Sequence, residues 1–421
     1  MSLTLGLPES RPHGSLRLLR YSIPSFLLLV LAGCGERALG PDDSAPPADP
    51  LAVTAITPDP ATAESVERPS NPAGHFTTIE TIAGDGLNGL TGEGTAPLAT
   101  SFSLPQDLTF GPDGRPYLVD WNNHRVRVIR DGLVHTVAGT GNLGDPIDGP
   151  ATATNLNHPT HVSFDAHGRM ILSAWHNSMI LRVDLDTGML ERIAGTGNRA
   201  FSGDGGPALA ADLHFPIATV ALPTGAIIVM DEANVRVRRI GANGIIRTIC
   251  GNGPPGGYSG DGGPAVDAEF NLPWGQSALP VGRLAGWNGY VYFCDTYNHV
   301  VRRFHLGTNI IETVAGVPMT FGYAGDGGPA TSALLAGPAD LELDAAGNLY
   351  IADTYNSCIR MVDASGRIRT IAGIGEMPGY SGDGGPPTQA LFDRPYGIAL
   401  GPDGNLYVAD THNNRFRVLT R

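Results

Sequence analysis

The chain has 421 residues and is acidic, with 27 basic residues against 41 aspartates and glutamates and a formal net charge of −14 at pH 7. All 27 basic residues are arginine, which excludes a phosphate-loop lysine, a Schiff-base lysine and a Ser-x-x-Lys nucleophile. An acidic chain with no basic run also argues against nucleic acid as a partner.

The first 33 residues have the pattern of a secretory signal peptide. Arg17 and Arg20 precede an apolar run over Ile23–Leu31, which is too short for a membrane-spanning helix. The segment Leu31-Ala-Gly-Cys34 then resembles the lipobox of bacterial lipoproteins. The resemblance implies that Cys34 carries the lipid and becomes the mature N-terminus, with the membrane as a partner. The alternative is an ordinary secretory signal followed by a chance cysteine.

Residues 34–75 are predicted to be a disordered tether. They are rich in Pro, Ala, Asp, Ser and Thr and hold few large apolar side chains, so they cannot bury enough surface to fold. A lipid at Cys34 would let this segment hold the rest of the chain away from the bilayer. We therefore expect a cell-envelope protein, anchored at the outer membrane or cell surface and facing the periplasm or the exterior.

Residues 76–421 contain one phrase repeated six times. Each unit has an apolar run ending in Ala-Gly or Cys-Gly, and the runs end at Gly84, Gly139, Gly195, Gly251, Gly316 and Gly373. Four units carry Gly-Asp-Gly-Gly-Pro, beginning at Gly203, Gly260, Gly325 and Gly382. The third anchor, Leu-Tyr-Val-Ala-Asp-Thr-x-Asn-x-x-x-Arg, is clearest at Leu406–Arg417. Self-similarity at this period indicates a repeat architecture.

The units predict an all-β propeller with six blades. Short apolar runs separated by Gly, Pro, Asn and Asp are typical of short antiparallel strands, and four such strands make one blade. The sixth unit stops at Arg421 without its Thr-Ile-Ala-Gly strand, while one unmatched copy lies at Thr78–Gly84. We therefore predict that the N-terminal strand completes the last blade and leaves no long sheet edge exposed.

The repeat resembles the NHL repeat, on the phrase from Pro395-Tyr-Gly-Ile-Ala to Asp403-Gly-Asn-Leu-Tyr-Val-Ala-Asp-Thr-His-Asn-Asn-Arg. The added Gly-Asp-Gly-Gly-Pro-Ala turn is similar to that of bacterial secreted NHL propellers and of the teneurin NHL region. The resemblance covers residues 76–421 and implies a six-bladed propeller. Activities differ widely within this family, so the fold does not settle the function.

Repeated polar residues are predicted to be structural. An aspartate recurs seven residues before an arginine in five units, and the second unit loses both, with Ala174 and Leu181 in their places. This joint loss suggests that the two side chains meet across the turn between the second and third strands. The Asp of each Gly-Asp-Gly-Gly-Pro turn is interpreted as a structural turn residue, because one carboxylate per loop does not supply the oxygens that calcium needs.

Positions that differ between units are the candidates for function. The inner strands are predicted to begin at Pro105, Pro159, Pro216, Pro273, Pro338 and Pro395, around a central channel. Two residues later the units carry Asp107, His161, Ala218, Gly275, Asp340 and Gly397. With the aromatic residues Trp274 and Tyr396 and with Glu342, these would form a polar cup with an aromatic rim at the channel mouth. Asp107, His161 and Asp340 have side chains that can bind a divalent metal or act in general acid–base catalysis. The alternative is that they only form the polar lining of a water-filled channel.

The fourth unit contains the longest insertion. Its repeated aspartates, Asp231 and Asp295, are 64 residues apart, against 57 for Asp353 and Asp410. The extra residues are predicted to form an exposed loop between the first and second strands, on which Arg283 and Trp287 would contact a partner. A tolerated loop insertion is the alternative.

The sequence thus favours a lipid-anchored propeller that acts as a scaffold for a protein, peptide or glycan. The alternative is a metal-dependent lyase or hydrolase with its site at the channel mouth, where a divalent metal ion would be the cofactor.

Overall fold

The computed structural model describes residues 75–273 and 281–421, and the fold within them is a six-bladed β-propeller. The all-β prediction is confirmed. The predicted signal peptide, the lipid site at Cys34, nearly all of the tether and the rim residue Trp274 lie outside the described residues. No helix of the described part of the chain has the length and hydropathy that a membrane span needs.

Blades 1 to 3 each contain four antiparallel strands, which follow one another from the channel outwards. Blade 1 consists of β2 (Asp107–Phe110), β3 (Pro116–Asp120), β4 (Arg125–Arg130) and β5 (Leu133–Ala138). Blade 2 consists of β7 (Pro159–Phe164), β8 (Met170–Ala174), β9 (Met179–Asp184) and β10 (Met189–Ala194), with the two-residue strand β6 (Gly149–Pro150) on its outer edge. Blade 3 consists of β11 (Pro216–Ala221), β12 (Ile227–Asp231), β13 (Arg236–Ile240) and β14 (Ile246–Cys250).

Blades 4 to 6 follow the same order. Blade 4 consists of β15 (Leu284–Trp287), β16 (Tyr290–Asp295), β17 (Val300–His305) and β18 (Ile311–Ala315). Blade 5 consists of β19 (Asp340–Leu343), β20 (Leu349–Asp353), β21 (Cys358–Val362) and β22 (Ile368–Ala372). Blade 6 consists of β23 (Pro395–Leu400), β24 (Leu406–Asp410), β25 (Arg415–Thr420) and, on its outer edge, β1 (Thr78–Ala83).

Two sets of 3-10 turns punctuate the blades. One set follows the second strand of each blade: Trp121–Asn123, Trp175–Asn177, Glu232–Asn234, Thr296–Asn298, Thr354–Asn356 and Thr411–Asn413. The other set lies between consecutive blades: Pro97–Ala99, Ala151–Ala153, Ala208–Ala210, Ala265–Asp267, Ala330–Ser332 and Pro387–Gln389.

The ring closes as predicted, through the pairing of the first strand with the last. Strand β1 is antiparallel to β25, with Thr78 opposite Thr420 and Thr81 opposite Arg417. A strand from the start of the chain therefore completes the blade that the end of the chain begins. The buried apolar residues lie between neighbouring blades, as where Tyr350, Ile371 and Ile398 share one cluster.

Each Gly-Asp-Gly-Gly-Pro turn covers the outer edge of the next blade. In blade 4 the Gly262 N–H donates to the Ile311 carbonyl at 2.8 Å, and the Ile311 N–H donates to the Gly263 carbonyl at 3.1 Å. The carboxylate of Asp261 accepts the Thr313 N–H at 3.1 Å and pairs with Arg302 at 2.6 Å. The turn thus protects a sheet edge that would otherwise be free to pair with another chain.

The predicted pairing of the repeated aspartate and arginine is confirmed in all five blades that contain both. The Asp–Arg distances are 3.9, 3.5, 3.5, 3.3 and 3.5 Å, and every one of these side chains is buried. The arginine also pairs with the acid of the turn, so that each guanidinium lies between two carboxylates. In blade 2, which has leucine in place of the arginine, Asp148 accepts the Arg192 N–H at 2.9 Å.

Candidate functional site

One opening of the channel lies on the face where the inner strands begin. In an antiparallel blade the inner strand begins where the second strand ends, so the first set of 3-10 turns lies on this same face. Hydrogen bonds between blades show that these turns lie close to the start of the next inner strand. The Thr354 hydroxyl donates to the Pro395 carbonyl at 2.7 Å, and the Thr411 hydroxyl donates to the Pro105 carbonyl at 2.6 Å. We call this opening the mouth.

The strand register defines one equivalent residue on every inner strand, opposite the residue that precedes the repeated aspartate. In blade 4 that residue is Arg283, because Leu284 pairs with Phe293 and the Cys294 N–H donates to the Arg283 carbonyl at 3.1 Å. We call this the ring position, and its six residues are Asp107, His161, Ala218, Arg283, Asp340 and Gly397. The prediction of Gly275 at this position is wrong, since the extra residues of the fourth unit precede its inner strand.

Arg283 lies inside the channel, so the prediction that it lies on an exposed loop is wrong. Its side chain is 1% exposed, and its guanidinium pairs with Asp107 at 3.0 Å and donates to the Gln106 carbonyl at 3.1 Å. Blade 4 faces blade 1 across a six-bladed ring, so this pair bridges the channel. The loop prediction is also wrong for Trp287. This residue ends the inner strand β15, is partly buried and packs in the core between blades 4 and 5.

Three other ring-position side chains bind the backbone of the next blade. Asp107 accepts the Val162 N–H at 3.4 Å, and the Nδ1 atom of His161 accepts the Thr219 N–H at 3.4 Å. Asp340 accepts the Ile398 N–H at 2.8 Å. The inner strand is the free edge of each blade, so these contacts supply partners to edge N–H groups and join neighbouring blades.

The channel contains more carboxyl groups than cations. Burial raises the pKa of Asp107 to about 7 although Arg283 opposes the shift, and burial raises the pKa of Asp340 to about 6. Burial and the neighbouring Asp340 raise the pKa of Glu342 to about 8. Burial lowers the pKa of His161 well below its usual value, and Arg283 adds to this effect. His161 is therefore neutral at pH 7, and Glu342 is largely protonated.

The predicted metal ligands are near one another but are not arranged as a metal site. The Nε2 atom of His161 lies 4.0 Å from the nearest carboxylate oxygen of Asp107, while its Nδ1 atom accepts a backbone N–H. Asp340 uses its two oxygens for the Leu341 and Ile398 N–H groups, both at 2.8 Å. In residues 75–273 and 281–421 no three His, Cys, Asp or Glu side chains converge as metal ligands would.

The mouth differs between its two halves at the residue that follows the repeated aspartate. In blades 4, 5 and 6 this residue is threonine, whose hydroxyl donates to a carbonyl of the next blade at 2.6–2.7 Å. In blades 1, 2 and 3 it is Trp121, Trp175 and Glu232. The Trp175 indole N–H donates to the Glu232 carboxylate at 2.6 Å, and both side chains are fully buried. Burial raises the pKa of Glu232 well above its usual value against that hydrogen bond.

Aromatic side chains do surround the mouth, although most are not the ones that the sequence indicated. Tyr396 is buried, packs against Val281 and Ala339, and lies parallel to His412 with ring centroids 6.4 Å apart. Tyr297 is 42% exposed and Tyr355 is partly buried. The repeat could have identified Tyr297, Tyr355 and His412, because each of them lies two residues after the repeated aspartate of its unit.

Two side chains one residue before the ring position bury polar atoms without partners. The Oε1 atom of Gln106 and the hydroxyl of Tyr396 accept or donate no hydrogen bond within the described residues, although these side chains are 3% and 1% exposed. The indole N–H of the partly exposed Trp121 is also buried and has no hydrogen-bond partner within the described residues. Buried polar groups in folded proteins are usually paired, so such atoms mark places where a further hydrogen-bonding group fits.

A large cleft lies away from the mouth, between blades 1 and 2. Its volume is about 930 Å³, and it is lined by turns of the opposite face. Three arginines line it, and each pairs with a nearby aspartate: Arg115 with Asp113 at 3.2 Å, Arg130 with Asp131 at 4.0 Å and Arg169 with Asp165 at 2.7 Å.

Comparison with known proteins agrees with the fold. Residues 392–419 match the NHL repeat. NHL repeat-containing protein 2 of Bos taurus is 26% identical over 334 residues, or 72% of this chain and 44% of that protein. Teneurin-1 of Homo sapiens is 26% identical over 351 residues, or 75% of this chain and 12% of the teneurin. The chain thus spans less than half the length of these curated relatives.

A solved structure has the same architecture. An auxiliary nutrient binding protein from Bacteroides thetaiotaomicron has a TM-score of 0.58 and 16% sequence identity, covering 81% of this chain and 76% of its own. At this level of identity the likeness shows the fold.

Proposed function

We propose that this chain, an NHL-repeat six-bladed β-propeller, is a binding module of the cell envelope that takes its ligand at the mouth. The signal-like residues 1–33 and Cys34 support an envelope location with a lipid anchor. The name of the Bacteroides thetaiotaomicron protein, auxiliary nutrient binding protein, agrees with a binding role for a propeller of this kind.

The observation that carries the proposal is the division of roles between the channel and the mouth. Below the mouth, the ring-position side chains pair with one another or with the backbone of the next blade, and the Arg283–Asp107 pair bridges the channel. The mouth contains aromatic surfaces and buried polar atoms that have no partner in the part of the chain that the structure describes. A concave apolar surface with a few polar groups is the usual form of a small-ligand site.

The rival function, a metal-dependent lyase or hydrolase, has less support in the geometry. Its best candidates were Asp107, His161 and Asp340, and acceptor atoms of all three are engaged in the contacts that join the blades. A divalent metal would have to displace several of these contacts at once. The binding role requires no such rearrangement.

Hydrogen exchange of the full-length protein tests the proposal. A panel of saccharides, amino acids and short peptides is first screened for ligands that raise the melting temperature, because a ligand of the native state stabilises it. Any ligand found is then mapped by exchange protection. We expect protection in the turns after the second strands, such as 121–124 and 354–357. Protection confined to the opposite face, at 112–115 and 166–169, would contradict the proposed site.

A further inference from the structure

The half of the mouth formed by blades 1, 2 and 3 lacks the threonine contact that joins blades 4, 5 and 6 to their neighbours. Trp121 stands in place of the threonine and is partly exposed. Its ring packs on His158 with centroids 4.5 Å apart and on Trp175 at 6.3 Å. Trp175 in turn stacks on His176 at 3.9 Å. Because these neighbours are themselves packed, the indole of Trp121 is held as a rigid surface at the mouth.

The same half of the mouth contains a donor and an acceptor that have no partner within residues 75–273 and 281–421. The donor is the Trp121 indole N–H, and the acceptor is the Oε1 atom of Gln106. The backbone of Gln106 is fixed, since its carbonyl accepts the Arg283 guanidinium and a Cβ atom on Gly397 would lie 2.7 Å from that carbonyl. Both atoms are shielded, and the packed Trp121 ring keeps its N–H so. A ligand can therefore reach only Oε1, when the Gln106 carboxamide turns toward the mouth. An unpaired buried oxygen is unfavourable, so a ligand hydroxyl that supplies the hydrogen bond favours that rotation.

The electrostatics of this half of the mouth favour an uncharged ligand. Burial lowers the pKa of His124, and burial together with His124 and His176 lowers the pKa of His158 to about 3, so these imidazoles carry no charge at pH 7. Two arginines approach, and both are engaged: Arg283 pairs with Asp107, and Arg199 donates to the His176 carbonyl at 3.2 Å. A carboxylate or phosphate would find no free cation among these residues, on a chain that is itself acidic.

We propose that the ligand is a neutral saccharide, whose ring stacks on the partly exposed Trp121 indole and one of whose hydroxyl groups donates to the Gln106 Oε1. A sugar ring has an apolar C–H face and hydroxyls that donate hydrogen bonds, which matches an aromatic surface in a mouth that also offers a hydrogen-bond acceptor. This inference rests on the proposed function and adds the ligand class and the residues that select it.

Titration of the full-length protein with defined oligosaccharides tests the inference. The probes are maltohexaose, cellohexaose and xylohexaose, with hexagalacturonate as an anionic comparison and decaproline as a peptide that also packs on aromatic rings. We expect at least one neutral hexasaccharide to bind, hexagalacturonate to bind at least tenfold more weakly than the matching neutral sugar, and decaproline not to compete. Binding of decaproline in place of the sugars would assign the surface to peptides and overturn the inference.

Variants separate stacking from hydrogen bonding. Trp121→Ala should weaken saccharide binding at least tenfold, and Trp121→Phe should lose less because a ring remains. Gln106→Met should weaken binding about three- to tenfold without lowering the melting temperature, since the replaced amide oxygen has no partner in the free protein. Phe321→Ala, which removes a 63% exposed ring from a loop at the edge of the same face, is the control and should bind as wild type.

The outcomes distinguish this inference from the proposed function. Saccharide binding that Trp121→Ala leaves unchanged would overturn the inference. Saccharide binding that Gln106→Met leaves unchanged would also overturn it, because the Gln106 oxygen would then have no part in holding the ligand. If no saccharide binds while another ligand protects the mouth turns from exchange, the inference fails and the proposed function stands. If ligands protect only other surfaces, both fail.

Discussion

Replacing Arg283 with methionine should destabilise the propeller and should do so in a pH-dependent way. Arg283 and Asp107 are buried and 3.0 Å apart, and the substitution leaves the Asp107 carboxylate without its cation. Removing one partner of a buried ion pair costs about 3–5 kcal/mol. With an unfolding entropy of about 2.1 cal/mol/K per residue over roughly 350 residues, this corresponds to a fall in melting temperature of about 4–7 °C.

The pH dependence follows from the direction of the Asp107 pKa. Burial already raises that pKa to about 7 with Arg283 present, and loss of the guanidinium raises it further. A carboxyl whose pKa is raised in the folded state contributes stability below its unfolded pKa and loses it as the pH rises through its folded pKa. The deficit of Arg283→Met should therefore be large at pH 8 and small at pH 5.

A double-mutant cycle completes the test, with melting temperature and chemical denaturation as the assays. Asp107→Leu in the Arg283→Met background removes the unpaired charge, so the double variant should be more stable than the sum of the single losses predicts. Additive losses, or a deficit of Arg283→Met that is equal at pH 5 and pH 8, would show that Arg283 and Asp107 do not form a buried ion pair across the channel.

Three further predictions concern other parts of the chain. Glu342→Gln should flatten the fall in stability between pH 5 and pH 8, where a carboxyl of pKa about 8 contributes up to about 1.4 kcal/mol per pH unit; an unchanged profile of melting temperature against pH would contradict the assignment. Deleting residues 76–84 should lower the melting temperature far more than deleting residues 36–71, because β1 completes blade 6; equal melting temperatures would refute this role of β1. Cys34→Ala should move the protein from the membrane to the soluble fraction in a detergent partition, and retention in the membrane would count against the lipid anchor.

The fold was predictable because the repeated sequence shows which strand is missing at one end of the repeat region and which is extra at the other. The missing strand of the sixth unit and the extra copy at Thr78–Gly84 together required the closure that the structure shows. The joint loss of aspartate and arginine in the second unit likewise identified a pair that meets in space. The pair has a third partner that the sequence did not indicate: the turn acid, such as Asp261, binds both the arginine and a strand N–H. In the second unit, which lacks the arginine, the turn acid Asp148 still accepts the Arg192 N–H.

The candidate site was less predictable, because an insertion changes which residues are equivalent. Pro273 precedes Gly275 by the same spacing that the other units show, so the sequence alone offered a false match, and only the strand register identifies Arg283. The mouth residues Trp121, Trp175 and Glu232 carried a usable signal, since they replace threonine at a repeated position. Their mutual contacts depend on how neighbouring blades pack, and the spacing of residues within one unit does not predict that packing.

The central claim, that the mouth binds and the channel holds the blades together, is tested most directly by one crossed measurement on two variants. The mouth variant is Trp121→Ala with Tyr355→Ala, and the channel variant is Asp340→Asn, which weakens the contact with the Ile398 N–H. The measurement is the rise in melting temperature that a saturating ligand causes. We predict that the channel variant has a lower melting temperature and keeps the full rise, whereas the mouth variant loses the rise. A channel variant that loses the rise while the mouth variant keeps it would contradict the claim.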